Sequence, residues 1–127
     1  MTRILIFLCM MAGILAAQTA KVNPPLLSKD LTGIPGKEGT MSIIEYAPGH
    51  VGQIHRHNAY VFVYVLEGSI VMQVKGGPQL TLGPGQTFYE SPEDIHVVGR
   101  NVSNTKPAKF LVFTVKDKGS PVVLPAN

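Results

Sequence analysis

Apolar and β-branched residues occur in short runs along most of the chain, and each run ends near a glycine or a proline. The clearest run is AYVFVYVL at residues 59–66, which is followed directly by a Glu-Gly turn. Such runs, spaced about ten residues apart, are typical of all-β sandwiches and barrels. We therefore predict strands at residues 41–47, 59–66, 69–75, 79–82, 86–90, 95–99 and 108–116, with an edge strand at 121–124.

The N-terminal segment has a different pattern. Arg3 is followed by an almost wholly apolar run, Ile4 to Ala17, and then by small residues. A charged start, an apolar stretch and a small-residue cleavage site are typical of a secretory signal peptide. A membrane anchor is the first alternative, but the run of about 14 residues is shorter than the ~20 that span a bilayer. A buried helix is the second. We expect residues 1–20 to be cleaved, and the mature protein to be periplasmic or secreted without a stable membrane anchor.

The remaining chain has the length of one small domain. Residues 21–40 contain Pro24 and Pro25 and are predicted to form an extended N-terminal arm, and residues 41–127 are predicted to form the folded domain. The only cysteine, Cys9, lies in the signal segment. The mature protein therefore has neither a disulfide nor a thiol for catalysis.

The charge of the chain does not indicate a nucleic-acid partner, and its low charged fraction favours association with a second copy of the chain. The chain has 11 Lys+Arg against 8 Asp+Glu, a net charge of +3, and the basic residues are scattered. Binding to nucleic acid is therefore not indicated. Only 15% of the residues are charged, so a small β-domain of this kind has apolar surface to cover and strand edges to pair. We expect a homodimer, the commonest closed assembly.

Histidines carry the candidate chemistry. His55 and His57 form an H-x-H pair in extended chain, where period two places both rings on one face. Histidine is the commonest metal ligand, and His96 could complete a set of three if the sheet folds back on itself. Taken alone, the pair is equally consistent with two half-exposed polar residues on a strand. His50 follows a turn and has the other parity, so we expect it at the surface.

Two glycine-framed motifs surround these histidines. From Gly49 the chain reads G-x5-H-x-H, followed by a strand that ends in YVLEG, and this resembles the first conserved motif of the cupin family. From Gly85 it reads PGQTF and SPEDIH, ending at His96, which resembles the second. The resemblance covers about residues 41–116. It implies an all-β fold, a small antiparallel double-sheet β-barrel of the jelly-roll type, with a metal held by the three histidines.

The first motif departs from the family pattern at one position. Cupins usually carry a metal-binding Glu four residues after the second histidine, and here Val61 stands there. Val61 therefore marks a vacant acidic-ligand position, and three neutral imidazoles would leave the +2 charge of a divalent ion uncompensated. Gln53 shares the parity of the H-x-H pair, so it either reaches the metal or a bound water, or is a polar residue at the barrel mouth. The ligands suit Fe, Mn, Ni, Cu or Zn and do not choose among them.

Seven large aromatic residues outside the signal segment are expected to pack in the core and between the sheets: Tyr60, Phe62, Tyr64, Phe88, Tyr89, Phe110 and Phe113. No catalytic base can be assigned from the sequence, although Glu90 is a candidate for a carboxylate inside the barrel. Catalytic residues therefore stay unassigned at this stage.

Three functions fit the sequence. One is a metal-dependent enzyme, an oxygenase, isomerase or lyase, acting on a small anionic or chelating substrate. The resemblance adds that some cupins with three histidines and no acidic ligand are iron dioxygenases of diketones or thiols. The others are a non-catalytic module that binds a metal or small ligand, and a domain whose site has decayed. The fold alone does not decide among them.

Overall fold

The computed structural model describes residues 20–127, which form eleven β-strands and no helix. The strands are β1 (Ala20–Val22), β2 (Leu27–Asp30), β3 (Lys37–Tyr46), β4 (His55–His57), β5 (Ala59–Glu67), β6 (Ile70–Val74), β7 (Leu80–Leu82), β8 (Thr87–Glu90), β9 (Ile95–Asn101), β10 (Ala108–Asp117) and β11 (Val123–Pro125). Residues 1–19, with Cys9 and nearly all of the predicted signal peptide, lie outside the described residues. Among the residues described, no helix is long and apolar enough to cross a membrane.

The strands form two antiparallel sheets. The first has the order β1–β3–β10–β5–β8, and β2 also pairs with β3. The second has the order β11–β4–β9–β6–β7. A single residue, Asn58, separates β4 from β5, so the chain passes from the second sheet to the first immediately after the H-x-H pair. This crossing places the two halves of the first motif on facing layers.

Each predicted strand is confirmed, but several strands begin or end at other residues than predicted. The strand expected from residue 41 begins at Lys37, because β3 pairs with β10 over its whole length, from Lys37 opposite Asp117 to Tyr46 opposite Ala108. β1 and β2 run along the other edge of β3, so part of the predicted arm is hydrogen-bonded chain.

The term barrel describes this architecture only approximately. β8 ends the first sheet, β7 and β11 end the second, and the two sheets exchange no strand pairing in the described chain. The all-β, antiparallel, double-sheet prediction is therefore correct, whereas closure is not achieved by the hydrogen-bond ladder. The two sheets are held together by the apolar core between them, to which both contribute.

β5 shows how the sequence divides its two faces. Its buried side chains alternate along the strand and belong to the core that also holds Ile70 and Met72 of β6; they are Ala59, Val61, Val63 and Val65. A fully buried valine contributes about 1.5–3 kcal/mol relative to an exposed one. The face of β5 that meets the second sheet is therefore the one that carries these four small and β-branched side chains.

The other face of β5 carries aromatic side chains to the outside. Tyr60, Phe62 and Tyr64 are 45–47% exposed, and Tyr89 of β8 is 47% exposed. The expectation that they form the core is wrong for these four, because in a period-two strand they cannot share a face with the valines. Of the remaining aromatics, Phe110 is buried in the core, whereas Phe88 and Phe113 are only partly buried.

Candidate metal centre

Strand pairing brings three histidines together. His55 and His57 lie on the same face of β4, and β9 pairs with β4 so that His96 stands directly opposite His55. One ring nitrogen from each of the three lies within 4.8 Å of the others. The sequence-predicted set His55, His57 and His96 therefore converges on one point, and these residues could hold a metal ion.

Backbone carbonyls orient the two β4 rings. His55 Nδ1 lies 2.8 Å from the Gln53 carbonyl oxygen, and His57 Nδ1 lies 3.3 Å from that of Val122. A carbonyl only accepts, so each Nδ1 carries a proton, and in the neutral form of each ring Nε2 has a lone pair. The two Nε2 atoms are 3.1 Å apart. Two lone pairs at that distance repel one another unless a cation lies between them, which is what a metal would supply.

His96 completes the cluster from the second motif. It is buried, and its Nδ1 lies 3.4 Å from His55 Nε2. Burial lowers the pKa of His96 below its usual value of 6.5, against the opposing effect of the Glu90 charge. The ring is therefore neutral near pH 7, as a metal ligand must be.

The second motif usually has a Pro and a Gly where this chain has Ser91 and Glu93, and a tight turn is formed there. The Ser91 backbone N–H donates to Asp94 Oδ2 at 2.7 Å, and the Asp94 N–H donates back to the Ser91 carbonyl at 3.1 Å. No non-glycine residue of the described chain has a positive φ, so this turn does not require a glycine. The β8–β9 connection therefore delivers His96 to the cluster despite the changed motif.

Close packing also requires a glycine behind His96. A Cβ at Gly99 would lie 2.9 Å from His96 Cε1 and 3.1 Å from Tyr46 Oη. Either contact is too short for ordinary packing. Gly99 therefore lets the imidazole and the phenol sit side by side at the base of the site.

The structure adds a carboxylate that the sequence left only as a candidate. Glu90, the last residue of β8, is 2% exposed. Its Oε2 lies 3.5 Å from His57 Nε2 and its Oε1 lies 3.4 Å from His96 Nδ1. Oε1 makes no hydrogen bond within the described chain. A buried carboxylate oxygen without a hydrogen-bond donor is costly. The three imidazoles together with the Glu90 carboxylate therefore fit a divalent cation.

His50 is not the surface residue that its parity suggests. It is only 8% exposed, and its ring centroid lies 4.2 Å from that of Tyr46. Gly49, at φ 73°, turns the chain so that His50 points inward. Burial and the Glu90 charge raise the pKa of Tyr46 to about 12, which keeps its phenol protonated. Sequence reasoning missed both residues as parts of the site.

Gln53 acts on the cluster through its backbone. Its carbonyl oxygen accepts the hydrogen bond that orients the His55 ring. The residue is exposed and lies at the cavity wall. Val61 is 2% exposed and faces the same interior from β5. The position that the motif assigns to a ligand is therefore inward-facing but apolar.

The cluster lies in the wall of a cavity of about 790 Å³ between the sheets. The lining is mostly apolar, with hydroxyls at Thr40, Ser42 and Thr114 of the first sheet. No Lys or Arg of the described residues lines it. An anion that enters this cavity would have to be held by a bound metal and by neutral donors.

The sequence of residues 42–114 matches the cupin domain family, and the chain belongs to that family. No curated protein sequence matches the chain.

Solved structures of similar fold include enzymes. DMSP lyase DddQ from Ruegeria pomeroyi is 20% identical with a TM-score of 0.61, over 69% of this chain and 43% of that one. An oxalate oxidase in complex with glycolate is 19% identical with a TM-score of 0.64, over 87% and 57%. A Klebsiella pneumoniae protein with a double-stranded β-helix domain is 15% identical with a TM-score of 0.59, over 79% and 81%. The chain thus spans less than half of the DMSP lyase chain, and these likenesses show the fold alone.

Proposed function

We propose that the protein is a metal-dependent cupin that binds one divalent transition metal, Fe, Mn, Ni, Cu or Zn, through His55, His57 and His96. The observation that carries the proposal is the convergence of three ring nitrogens, two of them 3.1 Å apart, on the wall of a cavity between the sheets. Packing alone does not explain imidazoles with fixed tautomers in this arrangement, because their lone pairs face and repel one another. They are what a metal site needs.

The proposed reaction is an oxygenase, isomerase or lyase reaction on a small anionic or chelating substrate. A bound metal supplies Lewis acidity and a template for two oxygen atoms of the substrate. The chain contributes a mostly apolar cavity, hydroxyls on its wall, and the protonated phenol of Tyr46 as a hydrogen-bond donor. The neighbours named as an oxalate oxidase with glycolate and as a DMSP lyase support small organic acids as the first class to test.

The experiment is a comparison of turnover and binding on metal-reconstituted protein. Each candidate ion is loaded, and a panel of small carboxylates, diketones and thiols is followed by oxygen consumption and product analysis. His57→Ala should abolish turnover. Arg56→Ala is the matched control, since its side chain lies exposed on the opposite face of the same strand. Saturable, metal-dependent binding of panel compounds without turnover would instead favour the alternative, a non-catalytic binding module.

We also propose that the protein is exported and forms a homodimer through the outer face of the first sheet. Apolar side chains meet across three strands there, with Phe113 of β10 opposite both Met41 of β3 and Phe62 of β5. Phe62 lies opposite Tyr89. Because this row carries no charge, two copies of the face can pack without bringing like charges together. Export rests on the N-terminal pattern alone.

A further inference from the structure

We propose that Glu90 is a fourth protein ligand of the metal and replaces, from the neighbouring strand, the carboxylate that Val61 cannot provide. This inference rests on the proposed metal site. It assigns the site three imidazoles and one carboxylate, although the first motif contains no acidic residue at the expected place.

Strand register is the first support. In the pairing of β5 with β8, Val61 lies directly opposite Glu90. Directly opposed residues of an antiparallel pair point to the same face, with Cβ atoms about 4.5–5.5 Å apart. Both side chains are 2% exposed and point into the space between the sheets. A glutamate on β8 therefore starts one strand away from the motif position, and its two methylene groups span much of that distance.

The environment of the carboxylate is the second support. Oε2 faces His57 Nε2 at 3.5 Å, and the proton of that ring is on Nδ1, toward the Val122 carbonyl. His57 Nε2 therefore presents a lone pair to the carboxylate, as it does to His55 Nε2. In this tautomer a neutral His57 donates no hydrogen bond to the Glu90 carboxylate. Acceptors that face one another in a buried site repel unless a cation or a proton lies between them.

Charge is the third support. Of the described residues, no Lys or Arg lines the cavity, and Oε1 has no hydrogen-bond donor. The buried negative charge therefore lacks a fixed positive partner in the described chain, and a divalent ion is the compensation that the geometry offers. With Glu90 bound, the site charge is +1, and an anionic substrate is attracted less strongly than a site of three imidazoles would attract it.

The test measures metal affinity and coordination, independently of turnover. Zn²⁺ dissociation constants are obtained by competition with a chromophoric chelator, and Co²⁺ absorption spectra report the ligand set. Glu90→Gln, which keeps the side-chain shape, should raise the Zn²⁺ Kd about 10–100-fold or more and change the Co²⁺ spectrum. Glu38→Gln is the control, because Glu38 is a partly buried carboxylate that pairs with Lys116 and lies outside the cavity lining.

A swap gives the sharper form of the test. Glu90→Val should weaken Zn²⁺ binding at least as much as Glu90→Gln, and adding Val61→Glu to it should recover most of the affinity by returning the carboxylate to the motif strand. A folded swap variant that binds Zn²⁺ no better than Glu90→Val contradicts the register argument. If the swap does not fold, Glu90→Gln decides.

The two proposals fail differently. Wild-type protein that binds neither Zn²⁺ nor Co²⁺ overturns the metal site itself. If wild type binds and His57→Ala does not, while Glu90→Gln keeps a Kd within twofold and an unchanged Co²⁺ spectrum, only the assignment of Glu90 is overturned.

Discussion

Replacing Val61 by Glu tests the geometry of the site at its most informative point. From the motif alone, a carboxylate at residue 61 would fill a vacant ligand position and tighten metal binding. In the structure, Glu90 stands directly opposite, and both positions are buried. Val61→Glu therefore adds a second carboxylate beside the first. We expect the metal-free variant to be strongly destabilised.

The magnitude follows from the cross-strand spacing. Two unit charges about 5 Å apart repel by about 3 kcal/mol at an effective dielectric constant near 20. Burying a further carboxylate adds a desolvation cost of several kcal/mol unless it takes up a proton. Since small domains are stable by about 5–15 kcal/mol, a loss of at least about 3 kcal/mol at pH 8, the repulsion alone, removes a large part of the stability of the metal-free protein.

Urea unfolding with and without Zn²⁺ measures this effect. Zn²⁺ should recover more stability in Val61→Glu than in wild type, because the cation is shared by both carboxylates. Val63→Glu is the matched control: Val63 is buried on the same face of β5, but its partner on β8 is Phe88, so no carboxylate stands opposite. It should be destabilised without that extra recovery.

A double-mutant cycle measures the interaction between residues 61 and 90 directly and can contradict the prediction. Val61→Glu combined with Glu90→Gln should be more stable than the sum of the single changes by about 3 kcal/mol, the repulsion that is removed. A coupling energy below about 0.5 kcal/mol, the usual limit of additivity, would show that the two side chains do not face one another.

Three further predictions address pH, assembly and export. Burial lowers the pKa of His96 below 6.5, so the unfolded chain takes up this proton at a higher pH than the folded chain does. The free energy of unfolding of metal-free protein should therefore fall as the pH drops from about 6.5 toward the lower folded-state pKa. His96→Gln should remove this pH dependence, and a wild-type urea midpoint that stays constant through this range would contradict the prediction. Phe62→Glu should give the monomer mass in light scattering at micromolar concentration, whereas Val102→Glu, at a position of similar exposure (45% against 47%) outside the strand pairing, should stay dimeric; a wild-type monomer would refute the assembly. Intact mass of protein recovered from periplasm or medium should place the mature N-terminus between Gln18 and Lys21, and full-length protein in the cytosol would refute export.

Much of the fold could be predicted because its signals are local. The β-branched and aromatic run at residues 59–66 predicts the strand β5, and the H-x-H spacing puts His55 and His57 on one side of β4. The third ligand needed more than spacing, since His96 meets His55 only through the pairing of β4 with β9. The resemblance to a family motif supplied that non-local contact.

The parts that could not be predicted depend on tertiary pairing. Glu90 reaches the cluster because of the register between β5 and β8, and no local pattern around residue 90 encodes that register. His50 is buried because a glycine turn folds it onto Tyr46. Whether the aromatic set or the valines of β5 faced inward required the position of the second sheet, since both sets are apolar.

Metal content tests the central claim most directly. Mature protein purified without chelator, loaded with each candidate ion and freed of excess, is analysed for bound elements beside His57→Ala and Arg56→Ala. We predict about one divalent transition metal per chain in wild type and in Arg56→Ala, and close to none in His57→Ala. Wild-type protein that retains none of the five ions, or His57→Ala that retains a full equivalent, would contradict the metal site.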